Sequence, residues 1–206
     1  MVRVISGSAR GRKLKTINSE NTKPTLDRVK EAMFSMLLPY FPCRCALDMF
    51  SGNGSLGIEA ISRGAVQCVF NDKSRDCCKI IDGNIRAVGF GDRSQVYTYD
   101  YKELIAVMKR KNMCFDMVFL DPPYGRGLIG EAMNAISAAG IYTCVNSSHG
   151  GTERSGEGAV DYKTINCIAV AEHSVNDVLG DRYGVFTKIK TRKYGTVSVS
   201  LYAAEA

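Results

Sequence analysis

Two hydrophobic patterns alternate along this chain. Short, nearly continuous apolar runs at "CALDMF" (45–50), "VQCVFND" (66–72), "SQVYTYD" (94–100) and "FDMVFLD" (115–121) have the length and content of buried strands. Between them, "SLGIEAISRGA" (55–65), "KSRDCCKIIDGNIRAVGF" (73–90), "YKELIAVMKRK" (101–111) and the region around "LIGEAMNAISAAG" (128–140) carry apolar residues at helical spacing, the first closed by Gly64. Ahead of this repeat, "TLDRVKEAMFSMLLPY" (25–40) is amphipathic: Val29, Met33, Met36 and Leu37 share a helical face, Thr25 or Asp27 can cap the start, and Pro42 ends the region.

Strands alternating with helices predict an α/β fold, an open and mostly parallel sheet with helices on both faces. Residues 142–166 break the rhythm with Gly, Ser and polar residues of no clear period, and read as a surface loop inserted in the domain. After it, "CIAVAEHS" (167–174) resumes as a strand. "YGVFTKIKTRKYGTVSVSLY" (183–202) supplies two β-rich runs that turn at Lys193 to Gly195, a hairpin at the sheet edge. The total is about seven strands.

The length, 206 residues, suits a single domain, 1–206, able to bury a core without staples. No apolar run approaches the roughly 18 residues that a membrane span needs. The N-terminus lacks the apolar core of a secretory signal, so a cytoplasmic protein is expected. Eight cysteines never form a C-x-x-C pair and the two histidines lack zinc spacing, so reduced structural thiols are expected and no metal.

Charge changes the picture only once it is located. Residues 1–30 hold eight basic side chains against two acidic ones, a net of +6, and the remainder balances at 19 against 19. Arg10, Arg12, Lys13, Lys15 and Arg28, with Gly7 and Gly11 between them, fit a flexible basic segment that follows a phosphate backbone.

Candidate chemistry gathers at the strand ends, where ligands bind in open α/β sheets. Asp48, Asp72, Asp100 and Asp121 end four successive predicted strands. "SGNGSLG" (51–57) adds a glycine turn, Gly52-x-Gly54-x-x-Gly57, through which backbone can approach a nucleotide-like cofactor, and Asp72 can accept both hydroxyls of its ribose. A pyrophosphate at this turn would face Asp48 with no basic residue in 46–62. A cationic cofactor fits better: S-adenosyl-L-methionine carries a sulfonium and an ammonium, and Asp100 can hold its adenine amino group.

"DPPYG" (121–125) follows the fourth strand. Two prolines fix the backbone and remove its donors, which leaves the Asp121 carboxylate and main-chain carbonyls as acceptors for the N–H groups of an exocyclic amine. Tyr124 offers an aromatic face to a base taken out of its stack. The expected chemistry is direct transfer of a methyl group to that amine, with positioning as most of the catalysis.

"LDMFSGNGSLGIEA" with "FLDPPY" resembles the amino-methyltransferase branch of the class I S-adenosylmethionine-dependent enzymes. "VRVISGSARGRKLKT", "TKPTLDRVKEAMFSML", "GIEAISRGA" and "YGTVSVSLY" narrow the resemblance to the RsmD family of bacterial 16S rRNA guanine-N2 methyltransferases. It covers nearly the whole chain except 142–166, which is not part of the usual pattern. The resemblance implies a Rossmann-like methyltransferase fold and methylation of one guanine in small-subunit RNA, within a subunit or an assembly intermediate and with no obligate protein partner. Carried over by motif, Asp48, Ser51, Gly52, Gly54 and Asp72 bind the cofactor, with Asp100 at its adenine, while Asp121, Pro122 and Tyr124 hold the guanine. Glu172 and His173 match an acidic ending of the family with no role assigned to them.

Asp-Pro-Pro-Tyr by itself accepts any exocyclic amine, so an adenine-N6 methyltransferase acting on DNA is the nearer alternative. An NAD-dependent oxidoreductase would share the glycine spacing but leave the acceptor cluster and the basic segment unused. A non-catalytic RNA-binding module is the remaining alternative.

Overall fold

The structure, a computed structural model, describes residues 2–16, 24–142 and 165–205, with backbone alone at 24–26. Residues 143–164, most of the expected surface loop, lie outside the described residues, as do Lys23 and the side chain of Thr25. In chain order the elements are β1 (Val2–Arg3), β2 (Lys13–Leu14), α1 (Pro24–Leu37), β3 (Cys45–Asp48), α2 (Ser55–Ser62), β4 (Gln67–Asn71) and α3 (Arg75–Val88). They continue as β5 (Ser94–Tyr97), α4 (Tyr101–Arg110), β6 (Met117–Leu120), α5 (Leu128–Ala139), β7 (Ile165–Ser174), β8 (Arg182–Tyr183), β9 (Phe186–Tyr194) and β10 (Val197–Glu205).

The main sheet has the order β5-β4-β3-β6-β7-β10-β9-β8. Its first five strands are parallel, and β10, β9 and β8 complete it antiparallel. This is the Rossmann-like arrangement expected from the alternating pattern, with eight strands in place of about seven. The additional strand, β8, spans two residues, too few to carry any hydrophobic period. The strand after the insertion begins at Ile165, two residues earlier than its apolar run indicated. Asp27 does not cap α1, because the helix begins at Pro24; it lies in the first turn and pairs with Arg3 Nε at 3.2 Å.

The sheet divides the core into two layers. Along β6, Met117 and Phe119 face one cluster and Val118 and Leu120 the other, the strict alternation of a strand buried on both faces. Strand order reverses at β3, since β4 and β5 are added on one side of it and β6 and β7 on the other, so a crevice opens at the carboxyl ends of β3 and β6. Gly57 sets how closely α2 lies on the sheet: a Cβ there would stand 2.3 Å from Phe70 Cε1 and 2.8 Å from Cys68 Sγ.

The N-terminal segment corrects the expectation of a flexible arm. β1 and β2 pair as a small hairpin, Val4, Ala9 and Leu14 enter the core beside α1, and the connecting turn is bound to α2. Glu59 accepts the amides of Ile5 at 2.7 Å and Ser6 at 3.0 Å, and Ser62 Oγ accepts that of Ala9 at 2.9 Å. Gly7 has φ +83° and passes so near Ser62 that a Cβ would fall 1.8 Å from its carbonyl oxygen. Gly7 serves close approach here, and the hairpin is part of the folded body.

Candidate active site

β3 ends in Asp48, which is buried. One carboxylate oxygen accepts the amide of Gly57 in the first turn of α2 at 3.0 Å, which also answers the positive end of the helix. Burial pushes its pKa up to about 7, against the opposing pull of that amide. Ser51 fastens the turn: its hydroxyl donates to the Asp48 carbonyl at 2.6 Å and accepts the amide of Asn71 at 3.0 Å. Ser51, expected from the sequence to contact a cofactor, thus has a structural role in the turn.

Gly52 and Gly54 follow with φ +55° and +79°. A Cβ built on Gly52 would meet nothing within 4 Å, so the turn borders open space above the crevice. Asp72, just past β4, accepts the Gly52 amide at 3.0 Å through one oxygen and the Ser74 amide at 2.8 Å through the other. A carboxylate has about four acceptor positions, so two remain for hydroxyls. Asp100 caps α4, accepting the Lys102 amide at 3.0 Å, and is exposed on the same rim.

On the other side of β3, the pairing of β6 with β7 runs to Leu120 opposite Ala171, so Asp121, just past β6, comes beside Glu172 of β7. Burial first, then the charges of Glu172 and Asp48, hold the Asp121 carboxyl well above the ordinary range. Pro122 is buried behind it, while Tyr124 is exposed and donates its hydroxyl to Glu172 Oε1 at 3.1 Å. Burial also raises Glu172. Glu172 thus belongs to the acceptor cluster, a place that sequence reasoning left without a role. His173 points to the opposite face, where its ring bonds Ser200 Oγ at 2.9 Å, and takes no part in the site.

Two buried asparagines were missed altogether. Asn71 donates to the carbonyls of Met49 and Tyr99 and accepts the Tyr99 amide, tying the ends of three strands together. Asn84, on α3, donates to the carbonyls of Lys15 and Asn53 and accepts the amide of Lys15 at 2.8 Å, which joins the N-terminal hairpin to the glycine turn. The only sequence signal was a polar residue interrupting the apolar stripe at Ile81 and Ile85.

The basic residues divide. Arg10, Lys13, Lys15 and Arg28 have exposed side chains, and Arg10 and Arg28 border a cleft of about 460 Å³ between the hairpin and α1 together with Arg3, Asp27 and Glu31. Arg12 donates through Nη2 to the Ala87 carbonyl near the end of α3. Lys30, which contributed to the N-terminal excess, is buried: it donates to the Arg3 carbonyl at 2.6 Å and stands 3.5 Å from Glu59, and burial lowers its pKa.

Among the described residues, no helix is long and apolar enough to cross a membrane and no cluster of three metal-ligating side chains occurs. Residues 2–150 match the family model described as conserved hypothetical protein 95. The chain is 31% identical to a putative rRNA methyltransferase, YlbH, of Bacillus subtilis, over 98% of both chains. It is 38% identical to ribosomal RNA small subunit methyltransferase D of Haemophilus influenzae, over 66% of this chain and 70% of the other. Among solved structures, a putative methyltransferase of Escherichia coli superposes with a TM-score of 0.72 at 27% identity, covering 100% of this chain and 98% of that one.

Proposed function

The chain belongs to the RsmD family of methyltransferases, and from that premise we propose that it methylates the exocyclic N2 amine of a guanine in 16S rRNA, with S-adenosyl-L-methionine as donor. The observation that carries this reading is the convergence of Asp121, Glu172 and Tyr124 on one side of the β3 end, with the glycine turn and Asp72 on the other. One half accepts amine N–H groups and the other accepts a nucleoside, with a buried carboxyl between them.

The residues suit the cofactor. Open space borders Gly52 where a side chain would intrude, Asp72 retains acceptor positions for the ribose hydroxyls, and Asp100 keeps a carboxylate oxygen for the adenine amine. Asp48 would supply negative charge to the cationic portion. When bound, the cofactor supplies a methyl group on a sulfonium, an electrophile needing no further activation.

The chain's own work is on the guanine. Tyr124 stacks on the flipped base, and Pro122 fixes the direction of the Asp121 carboxylate. Ionised Asp121 accepts an N–H of the amine, which turns the nitrogen lone pair toward the methyl group. The methyl transfer that the bound cofactor would supply would leave positive charge on the amine. The Asp121 carboxylate, whose proton affinity is raised by burial and by Glu172, is suited to take the released proton.

The NAD reading loses support from the helix terminus, since the Gly57 amide is already bound to the Asp48 carboxylate and a pyrophosphate would meet that carboxyl. Adenine N6 in DNA stays compatible with the acceptor cluster alone. What favours rRNA is family membership and the basic, glycine-turned hairpin beside the site, which together point to a cytoplasmic enzyme of ribosome maturation.

Asp121→Ala tests the assignment. Turnover on small-subunit rRNA should fall by about two to three orders of magnitude, the usual effect of losing an electrostatic partner of the reacting group, while calorimetric affinity for S-adenosylmethionine holds. Activity near the parent level would remove Asp121 from the mechanism.

A further inference from the structure

The balanced charge count outside the N-terminal segment conceals a second cationic surface. β9 carries Lys188, Lys190, Arg192 and Lys193 with no acidic residue among them. Lys188 is committed, standing 2.9 Å from Asp181 and donating to the Leu179 carbonyl. Lys190, Arg192 and Lys193 are exposed, and among the described residues none has an ion-pair partner.

Their position follows from the register. Glu172 of β7 pairs with Val199 of β10, and Val199 pairs with Arg192 of β9. Two strand spacings of roughly 4.8 Å put Arg192 about 10 Å from the acceptor cluster at the same end of the sheet. Directly paired residues point to the same face, so Arg192 projects on the side of Glu172. That face also holds the N-terminal hairpin: Val4 and Leu14 share a core cluster with Val170, Val199 and Leu201. Lys190 pairs with Leu201 and therefore lies on this face too, whereas Lys193 pairs with Ser198 and stands at the hairpin end on the other face.

We propose that the β9–β10 hairpin, through Lys190, Arg192 and Lys193, is a phosphate-binding surface for the RNA strand whose guanine enters the Asp121–Tyr124 pocket. This rests on the RNA methyltransferase reading. A flipped base remains attached to its backbone, so the flanking phosphates must pass over the rim of the pocket, and the exposed Lys190 and Arg192 on the Glu172 face, with Lys193 at the hairpin end, complement them. The N-terminal hairpin and the β9–β10 hairpin then hold the strand from the two sides of the site.

The test is the salt dependence of binding to deproteinised small-subunit rRNA and to intact small subunits, measured for the parent and for the variant Lys190→Gln, Arg192→Gln, Lys193→Gln. These side chains are exposed, and unchanged calorimetric affinity for S-adenosylmethionine reports an intact fold. The slope of log affinity against log salt should become shallower by about 2, since each single-strand phosphate that is no longer neutralised removes about 0.7. An unchanged slope while the parent binds RNA overturns this proposal and leaves the enzymatic reading intact. A loss confined to intact subunits would also overturn it, because the partner would then be ribosomal protein. A parent that shows no salt-dependent RNA binding overturns both.

Discussion

Tyr124 and Glu172 meet at 3.1 Å, hydroxyl to carboxylate, although 48 residues separate them in the chain. The bond ties an exposed ring on the Asp-Pro-Pro-Tyr turn to a buried residue of β7, so the ring is held by the neighbouring strand. Two substitutions separate the parts. Tyr124→Phe keeps the ring and loses the tether, which should lower kcat/KM by the worth of one hydrogen bond to a charged group, about 1.5–3 kcal/mol. Tyr124→Ala also loses stacking, a further loss of about 1–3 kcal/mol. Steady-state kinetics on rRNA in which both variants match the parent would take the ring out of the site.

The pH profile carries the electrostatics of the pair. Asp121 must be ionised to take the proton that the amine releases, so the rate should rise with pH along an acid limb set by Asp121. Burial and then the Glu172 charge raise that group. Glu172→Gln removes a like charge, lowers the proton affinity of Asp121 and should move the limb to lower pH. A limb that stays in place, or moves upward, would contradict the coupling.

Asp48 links cofactor binding to protons. Its pKa stands at about 7 in the free protein, because burial outweighs the Gly57 amide. A bound cation favours the ionised carboxylate, so binding below this value should release a proton, and affinity for S-adenosylmethionine should climb with pH and level off above about 7. Calorimetry in buffers of different ionisation enthalpy reads the proton directly. Zero release at pH about 6, or an affinity that falls with rising pH, would remove Asp48 from the cofactor's field.

Glu59 is the anchor of the N-terminal hairpin, fully buried and bound to Arg63 at 2.8 Å, to Lys30 at 3.5 Å and to two hairpin amides. Glu59→Gln leaves two cations with a neutral partner, Lys30 in the interior and Arg63 beside it. The loss should approach the about 3–5 kcal/mol typical of breaking a buried pair. Denaturant unfolding measures it, and limited proteolysis should cut the segment around residues 2–16 first. Parent-like stability would mean that the hairpin is held by its apolar residues alone.

The strand and helix repeat was legible because each run is long enough to show its period, and the glycine turn and Asp-Pro-Pro-Tyr marked the candidate site through residue types that few other structures need. What stayed hidden depends on pairing across the sheet. Glu172 ends an apolar strand like any capping residue until the Leu120–Ala171 register sets it beside Asp121. Arg192 is invisible for the same reason, since its nearness to the pocket passes through Val199 of a different strand. The N-terminal segment misled because basic residues and glycines look alike in a free arm and in a docked hairpin; Gly7 is required by the Ser62 carbonyl, a contact across the fold that no local pattern reveals.

The central claim is methyl transfer to a guanine amine of rRNA. Small ribosomal subunits from cells lacking this protein, incubated with it and with S-adenosylmethionine labelled in the methyl group, should yield labelled N2-methylguanosine on nucleoside analysis, while DNA in the same assay stays unlabelled. Label recovered as N6-methyladenine from DNA, or no transfer to RNA by protein that binds the cofactor, would contradict it.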